Sequence, residues 1–350
     1  MLILGIETSC DDTAAAVVRD GREVLSSIVS TQDKIHAPFG GIVPEMASRS
    51  HLERIDTVVA EASHEAGFTL AEMDLVAVTA GPGLIGSLLV GLSFAKGLSF
   101  AMGLPLVPVD HIQSHLMTLD LAEGTPFPSV ALVASGGHTT LFELRSPHSI
   151  NIVGTTLDDA AGEALDKAAK LLGLGYPGGP AIEREAQSGD PDALALPRPM
   201  MRSENHDFSF SGLKTALFTY LKRHGYLDRT KTEQPHLPLS TPDLAASYME
   251  AVVDVLVSKC RNAVRFCDVP HLVVVGGVAR NGSLRARMEA AGSRDGFQVH
   301  FPPPPLCTDN AAMVAAMGYR EREKALTDPL DLNAYSTKSL RARGPRRKRH

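Results

Sequence analysis

Residues 2–18, LILGIETSCDDTAAAVV, consist of two apolar segments joined by the polar stretch ETSCDD. Short apolar segments on either side of a polar turn predict two neighbouring strands of a hairpin. The same pattern returns at residues 130–144, VALVASGGHTTLFEL, where SGGH separates the two predicted strands. This recurrence indicates an internal duplication.

Two further features follow the hairpin in both halves, in the same order. Residues 74–92 and residues 271–288 each predict a strand, a glycine-containing turn and a helix. Residues 104–115 and residues 299–317 each predict a strand that ends at a polar residue, where another helix begins. This order predicts an α/β fold with two similar lobes around a central cleft.

The chain has 350 residues, of which 44% are hydrophobic and 21% charged, as is typical of a soluble globular protein. The first lobe is expected to span residues 1–125, the second residues 126–325, and a C-terminal segment residues 326–350. The four cysteines form no CxxC pair, which disfavours a disulfide framework or a zinc ribbon and fits a reducing cytoplasm. The acidic residues in MLILGIETSCDD disfavour a secretion signal.

Two segments raise the question of contact with a membrane or a nucleic acid. The apolar residues 83–109 include Lys96 and several glycines, so we expect a buried helix and a strand rather than a membrane span. The last ten residues, RARGPRRKRH, carry six Arg and Lys, so the rest of the chain sums to −12 within a net charge of −6. We expect this tail to be disordered, and either to contact phosphates or to be simply solvated.

The stretch HIQSH places His111 and His115 four residues apart, on one face of a helix. Either the pair binds a metal ion, or it belongs to an ordinary surface or core helix. A zinc protease needs a Glu directly after the first His, and Ile112 stands there. In the duplicated pattern Asp309 mirrors the helix start at His111. If the two lobes face one another, the three side chains form a two-His, one-carboxylate site suited to iron or zinc. Alternatively, Asp309 is the N-cap of the helix that follows.

Glycine-rich turns offer a place for an anion. The SGGH turn, and GGVARNGSLR after an apolar strand, would expose backbone N–H groups and a helix N-terminus. Neither a P-loop nor a GxGxxG fingerprint is present. Asp166 could accept from ribose hydroxyls if its helix borders the cleft. Asp11 and Asp12 are either plain turn residues or acids of the cleft.

Nine segments, in order, resemble the bacterial tRNA threonylcarbamoyltransferase family, TsaD, over residue 1 to about residue 320. They are GIETSCDDTAAAVV, GGIVPEMASRSH, GPGLIGSLLVG, DHIQSH, SGGHTTL, DDAAGEALDKAAKLLGLGYPGGP, DFSFSGLKTA, GGVARNGSLR and CTDNAAMVAA. The resemblance implies the actin-like ATPase fold of sugar kinases and heat-shock ATPases. It also implies transfer of the L-threonylcarbamoyl group from threonylcarbamoyl-AMP to tRNA. The acceptor is the exocyclic amine of the adenosine 3′ of the anticodon, in tRNAs that read codons beginning with A.

The same resemblance implies roles for individual residues. His111, His115 and Asp309 would bind one divalent metal per subunit, with Fe²⁺ preferred and Zn²⁺ as the alternative. Asp11 would support catalysis. The residues expected to contact the adenylate are Val133, Ala134, Ser135, Gly136, Gly137, Asp166, Gly179, Glu183 and Asn281. Members of the family often have Glu-Gly between the paired histidines, where this chain has Gln113 and Ser114.

The implied partners are tRNA and the proteins TsaB and TsaE, with no membrane and a cytoplasmic location. Residues 221–243 match no motif of the family. A metal-dependent ATPase or small-molecule kinase of the same fold is the main alternative, although paired histidines have little use in a magnesium-dependent phosphotransferase. A metalloprotease and a non-catalytic scaffold are further alternatives.

Overall fold

The computed structural model describes residues 1–226 and 238–336, which form ten strands and ten α-helices. The strands are β1 (Leu2–Glu7), β2 (Asp12–Arg19), β3 (Glu23–Thr31), β4 (Leu75–Gly81), β5 (Leu106–Asp110), β6 (Ser129–Ala134), β7 (Thr139–Ser146), β8 (Ser149–Thr155), β9 (His271–Val275) and β10 (Gln298–His300). The α-helices are α1 (Asp33–His36), α2 (Pro44–Ala66), α3 (Ile85–Met102), α4 (His111–Leu116), α5 (Ala161–Leu172), α6 (Gly178–Ala186), α7 (Ser211–Arg223), α8 (Thr241–Cys267), α9 (Gly282–Asp295) and α10 (Ala311–Arg320). Residues 227–237 of segment 221–243 and the whole basic tail lie outside the described residues, so their predicted roles stay predictions.

The described chain forms two compact units. Unit 1 contains residues 1–125 and 301–336, and unit 2 contains the described part of residues 126–300. Each unit has one five-stranded mixed sheet. The strand order is β3-β2-β1-β4-β5 in unit 1 and β10-β9-β6-β7-β8 in unit 2, so the two sheets share one topology. The internal duplication predicted from the sequence is therefore confirmed.

In each sheet a three-stranded antiparallel part continues into a parallel part. β1 pairs with β2 in antiparallel fashion and with β4 in parallel fashion, and β6 pairs with β7 and β9 in the same two ways. Apart from Glu7 and Thr79, β1 and β4 are apolar, and both strands are almost entirely buried, since helices cover a parallel sheet on both faces. On α2 the buried residues Ile55, Val58, Val59 and Ala62 recur at helical spacing, and they pack on this sheet.

The sequence placed residues 301–325 in the second lobe, whereas the structure places them in unit 1. After β10 the chain enters the prolines at 302–305, which cannot continue a strand ladder. α10 then packs on β1, β2 and β4. The packing is close enough to need glycine, because a Cβ added at Gly5 would lie 2.2 Å from the carbonyl oxygen of Ala311. A Cβ at Gly318 would lie 2.4 Å from the Cβ of Ala77.

The apolar residues 83–109 were expected to form a buried helix followed by a strand. The helix, α3, is buried on one face only, so the expectation is wrong for its other face. α3 buries Leu88 and Leu92 in unit 1, but Leu89 is 46% exposed and Phe100 is 80% exposed. The helix has one neighbouring layer and therefore one buried face. In the described chain α3 is the helix that is long and apolar enough to cross a membrane, and Lys96 lies within it.

The fit of α10 on β1 predicts opposite effects for two Gly→Ala changes. Gly5→Ala should lower the free energy of unfolding by about 2 kcal/mol, because its Cβ would overlap the backbone of α10. Gly97→Ala is the matched control. It lies within α3 and its Cβ would meet nothing within 4 Å, so it should stabilise by up to about 1 kcal/mol. Chemical denaturation of both variants measures the difference, and equal stabilities would contradict the packing.

Candidate metal centre and ligand-binding loops

The candidate metal centre begins where β5 ends. The carboxylate of Asp110 caps α4, since its Oδ1 accepts from the backbone N–H groups of Ile112 at 3.0 Å and Gln113 at 3.1 Å. This cap starts the helix at His111 and places His111 and His115 on one face. Their ring centroids lie 4.8 Å apart at an interplanar angle of 86°.

Asp309 comes just before α10, but it does not cap that helix. The side chain of Asn310 accepts from the N–H of Met313 at 2.9 Å, so Asn310 is the N-cap and the alternative role for Asp309 is wrong. Instead, Asp309 Oδ1 lies 3.0 Å from His115 Nε2 and 3.8 Å from His111 Nε2. The ligand atoms of the three residues all lie within 4.8 Å of one another.

All three predicted ligands belong to unit 1. The sequence analysis assigned Asp309 to the second lobe, whereas the structure places it in unit 1. The physical reason is the packing of α10 on β1, which carries Asp309 to His115 within unit 1.

The donor set fits a divalent transition metal. Ligand atoms bound to one zinc or iron ion lie roughly 3 Å apart, close to the spacing seen here. His111 Nδ1 lies 3.0 Å from Glu7 Oε2 and 3.1 Å from Ser9 Oγ, so Nε2 is the ring nitrogen directed toward Asp309. A carboxylate behind a histidine in this manner is the usual outer partner of a metal ligand.

The sequence analysis did not include Glu7 among the site residues, although a charged residue at the end of an apolar strand is a recognisable pattern. Its carboxylate ends the otherwise apolar strand LILGIE and is fully buried. Thr79 Oγ1 donates to Glu7 Oε2 at 2.7 Å, and the N–H of Ser9 donates to Oε1 at 2.5 Å. A charged residue at the end of a buried strand needs partners of this kind.

Glu7 and His111 form a buried ion pair. Burial by itself would raise the pKa of Glu7, but the charge and hydrogen bond of His111 lower it. Burial acts on His111 in the opposite sense, and the charges of Glu7 and Asp309 outweigh it, raising the pKa of His111 to about 9. A cation bound at this site would therefore lie near Glu7 and His111, whose pKa values already depend strongly on neighbouring charges.

Asp11, in the turn between β1 and β2, and Asp12, the first residue of β2, add two acids to unit 1. Burial and the charge of Asp309 raise the pKa of Asp11. The same two causes raise the pKa of Asp12 to about 8. His51 Nε2 lies 3.1 Å from the carbonyl oxygen of Cys10, a contact that holds the turn against α2. The crowding of negative charge around Asp309 is what a bound cation would relieve.

Unit 2 holds the predicted ligand-binding loops. The Ser135 N–H donates to the His138 carbonyl at 2.8 Å, and the His138 N–H donates to Ser135 Oγ at 3.1 Å, which closes the SGGH turn. Gly136 and Gly137 are exposed, and a Cβ on either would meet nothing within 4 Å. Gly179 is nearly as open, since the nearest atom to a Cβ there is 4.0 Å away. These glycines leave backbone accessible to a ligand.

Two predicted contact residues lie deeper than the rest. Val133 and Ala134 are fully buried in β6, so their side chains belong to the core. Directly after β9, Gly276 has φ +92°, and a Cβ there would lie 2.4 Å from the carbonyl oxygen of Ala134. The ends of β6 and β9 therefore approach one another closely, and glycine is required for this approach.

Carboxylates connect three helices around these strand ends. Asp166 on α5 accepts from the N–H of Gly178, the first residue of α6, at 2.7 Å. Glu183 on α6 accepts from the N–H of Gly282, the first residue of α9, at 2.7 Å. The side chain of Asn281 caps α9. The structure thus places Asp166, Glu183 and Asn281 each at a helix N-terminus, where anions are favourably placed.

Two mixed sheets of one topology define an α/β protein of the actin-like fold class. Component A of (R)-2-hydroxyglutaryl-CoA dehydratase from Acidaminococcus fermentans superposes with a TM-score of 0.56 at 14% identity, over 92% of this chain and 99% of that one. The activator of 2-hydroxyisocaproyl-CoA dehydratase from Clostridium difficile gives a TM-score of 0.54 at 14% identity, over 93% and 96%. These likenesses confirm the predicted fold.

The family profile named TsaD, tRNA N6-adenosine threonylcarbamoyltransferase, matches residues 23–316. The protein of that name from Geotalea uraniireducens is 49% identical over 334 residues, 95% of each chain. The one from Symbiobacterium thermophilum is 51% identical over 334 residues, again 95% of each chain. This chain belongs to the TsaD family, as the sequence predicted.

Loss of a ligand should empty the metal centre. After metal loading and desalting, the wild type should hold about one ion per chain, whereas His111→Ala, His115→Ala and Asp309→Ala should each lose most of it. His64→Ala is the control, since His64 is exposed on α2 of the same unit. Mass spectrometry of total metal measures the content, and full occupancy in the three ligand variants would refute the site.

The raised pKa of Asp12 predicts a pH-dependent stability change. Because its folded-state pKa of about 8 exceeds the unfolded value of about 4, ionisation of Asp12 lowers stability as pH rises between the two values. Asp12→Asn should therefore raise the thermal midpoint of the metal-free protein more at pH 8 than at pH 5. Asp331→Asn, at an exposed position of unit 1, should not show this difference. An Asp12→Asn effect independent of pH would contradict the prediction.

Proposed function

We propose that this chain transfers the L-threonylcarbamoyl group from threonylcarbamoyl-AMP to N6 of the adenosine 3′ of the anticodon, in tRNAs that read codons beginning with A. Membership of the family named for this transfer supports the proposal. The observation that carries it is the His111, His115 and Asp309 set, held by a buried Glu7. This set suits an activated acyl donor better than it suits the alternatives.

The loops of unit 2 are proposed to hold the adenylate part of the donor. Gly136, Gly137 and Gly179 leave backbone open to a ligand, and Asp166 and Glu183 lie beside helix N-termini. Backbone N–H groups at such positions favour a phosphate, and a carboxylate can accept from ribose hydroxyls. An adenylate presents both groups, which supports this assignment.

The reaction exchanges one bond for another. The N6 amine attacks the carbamoyl carbon, a C–N bond forms, and the C–O bond of the mixed anhydride breaks so that AMP leaves with the bonding electrons. The amine loses one proton, and Asp11 is proposed to accept it, since a carboxylate of raised pKa is the better base. Because the donor is already activated, the protein mainly has to position the two reactants.

The metal is proposed to be a single divalent ion, Fe²⁺ in preference to Zn²⁺. Two imidazoles and one carboxylate suit either ion and leave positions open for a ligand. When bound, the ion would supply Lewis-acid polarisation of a donor oxygen. Within the chain, Glu7 fixes the orientation of His111, and Asp110 fixes the start of the helix that carries both histidines.

The kinase or ATPase alternative is not favoured. Its magnesium chemistry prefers oxygen ligands, whereas the described cluster offers two imidazole nitrogens. A metalloprotease is disfavoured because Ile112 occupies the position of the general base.

The proposed partners are tRNA, TsaB and TsaE, and the proposed compartment is the cytoplasm. An unpaired apolar face supports a protein partner: on α3, Ile85, Leu89 and Phe100 are 47%, 46% and 80% exposed. All four cysteines are free, which fits a reducing compartment.

Nucleoside mass spectrometry tests the function. Unmodified tRNA incubated with the donor, this chain and its bacterial partner proteins should yield threonylcarbamoyladenosine. His111→Ala should abolish the product, and Glu183→Gln should raise the donor concentration needed for half-maximal rate. His64→Ala should behave as the wild type. Release of AMP without modified tRNA would contradict the proposal and indicate simple hydrolysis.

A further inference from the structure

Residues 326–336, here called the strap, run along unit 1 after the last helix. At its start the strap pairs with β5: the N–H of Leu326 donates to the carbonyl of Leu106 at 2.8 Å, and the N–H of Leu106 donates to the carbonyl of Leu326 at 2.9 Å. Lys96 Nζ on α3 donates to the carbonyl of Leu330 at 2.9 Å. The strap is thus held by main-chain and charged contacts before it reaches the metal centre.

Farther along, the strap crosses the end of β4. The N–H of Tyr335 donates to the carbonyl of Ala80 at 2.9 Å, and the N–H of Gly83 donates to the carbonyl of Ser336 at 3.2 Å. Gly81 has φ +148°, and a Cβ there would lie 2.1 Å from the carbonyl oxygen of Tyr335. The backbone of the strap at Tyr335 can therefore pass close to the end of β4 only because Gly81 has no side chain.

The side chain of Tyr335 reaches the start of α4. Its hydroxyl donates to Asp110 Oδ2 at 2.9 Å. The other oxygen of the same carboxylate caps α4 by accepting from the N–H groups of Ile112 and Gln113. One buried carboxylate therefore connects the strap to the helix that carries both histidine ligands.

We propose that the strap fixes the orientation of α4, and that Tyr335 is a positioning residue for the metal centre, acting through Asp110. The proposal rests on the metal site described above, and it adds a residue that follows the last of the nine family motifs. Burial, together with the charge of Asp110, raises the pKa of Tyr335, so its hydroxyl keeps the proton that it donates.

The expected size of the effect follows from the place of Tyr335 behind the ligands. Without the hydroxyl, Asp110 Oδ2 loses a donor at a carboxylate whose residue is 9% exposed. The Asp110 carboxylate is then no longer held by that hydroxyl, and a turn of the carboxylate would shift the helix cap and with it His111. Loss of a group that contacts a metal ligand directly typically weakens metal affinity by about 10- to 100-fold. Tyr335 acts one contact further out, through Asp110, so we expect the lower end of this range.

The test uses Zn²⁺ as the probe, titrated into the full-length, metal-free protein against a chromophoric chelator. Tyr335→Phe should weaken Zn²⁺ binding by about tenfold. The matched control is Tyr319→Phe, which removes a hydroxyl from α10, where the ring packs beneath Arg322. This control should bind Zn²⁺ as the wild type does.

A second variant separates positioning from loss of the fold. Lys96→Met removes the ammonium group that donates to the strap. Lys96 lies on α3 and not on α4, and its loss should weaken Zn²⁺ binding in the same direction. Circular dichroism of each metal-free variant should show an intact fold. Wild-type affinity in both Tyr335→Phe and Lys96→Met would overturn the strap proposal while leaving the metal site standing. Absence of Zn²⁺ binding by the wild type would overturn both.

Discussion

The packing of α10 against β1 is the contact on which the rest of unit 1 depends. It is possible because Gly5 presents no side chain to the backbone at Ala311. The helix is preceded by Asp309, so the same contact places a carboxylate beside His115 and His111. The close approach of the β1 and α10 backbones thus determines where the three ligands meet. His115 and Asp309 are almost 200 residues apart in the sequence.

Charge is the second feature that organises unit 1. Glu7 and His111 form a buried pair, and Asp11, Asp12 and Asp309 add negative charge around it. Such a group of acids is costly in a folded protein unless a cation or a proton neutralises part of it. The arrangement therefore lowers the stability of the metal-free protein and favours the binding of a metal ion, as is common at functional sites.

Much of this could be predicted from the sequence, because the pattern of hairpin, strand, glycine turn and helix occurs twice. That repeat predicted two sheets of one topology, and the HIQSH spacing predicted two imidazoles on one helix face. The sequence could not predict which unit contains α10. No local pattern after the prolines at 302–305 identifies the sheet against which this helix packs. Tyr335 was also out of reach, because its role depends on a distant contact with Asp110.

On this chain, the carbamoyl group is proposed to pass directly from the donor to tRNA. A single-turnover experiment with donor carrying isotope in the carbamoyl carbon, and with protein and partners in excess, tests it most directly. AMP release and label in tRNA should rise at the same rate and in equal amounts, and omission of tRNA should suppress both. AMP released at an unchanged rate without tRNA, or label that never reaches tRNA, would contradict it.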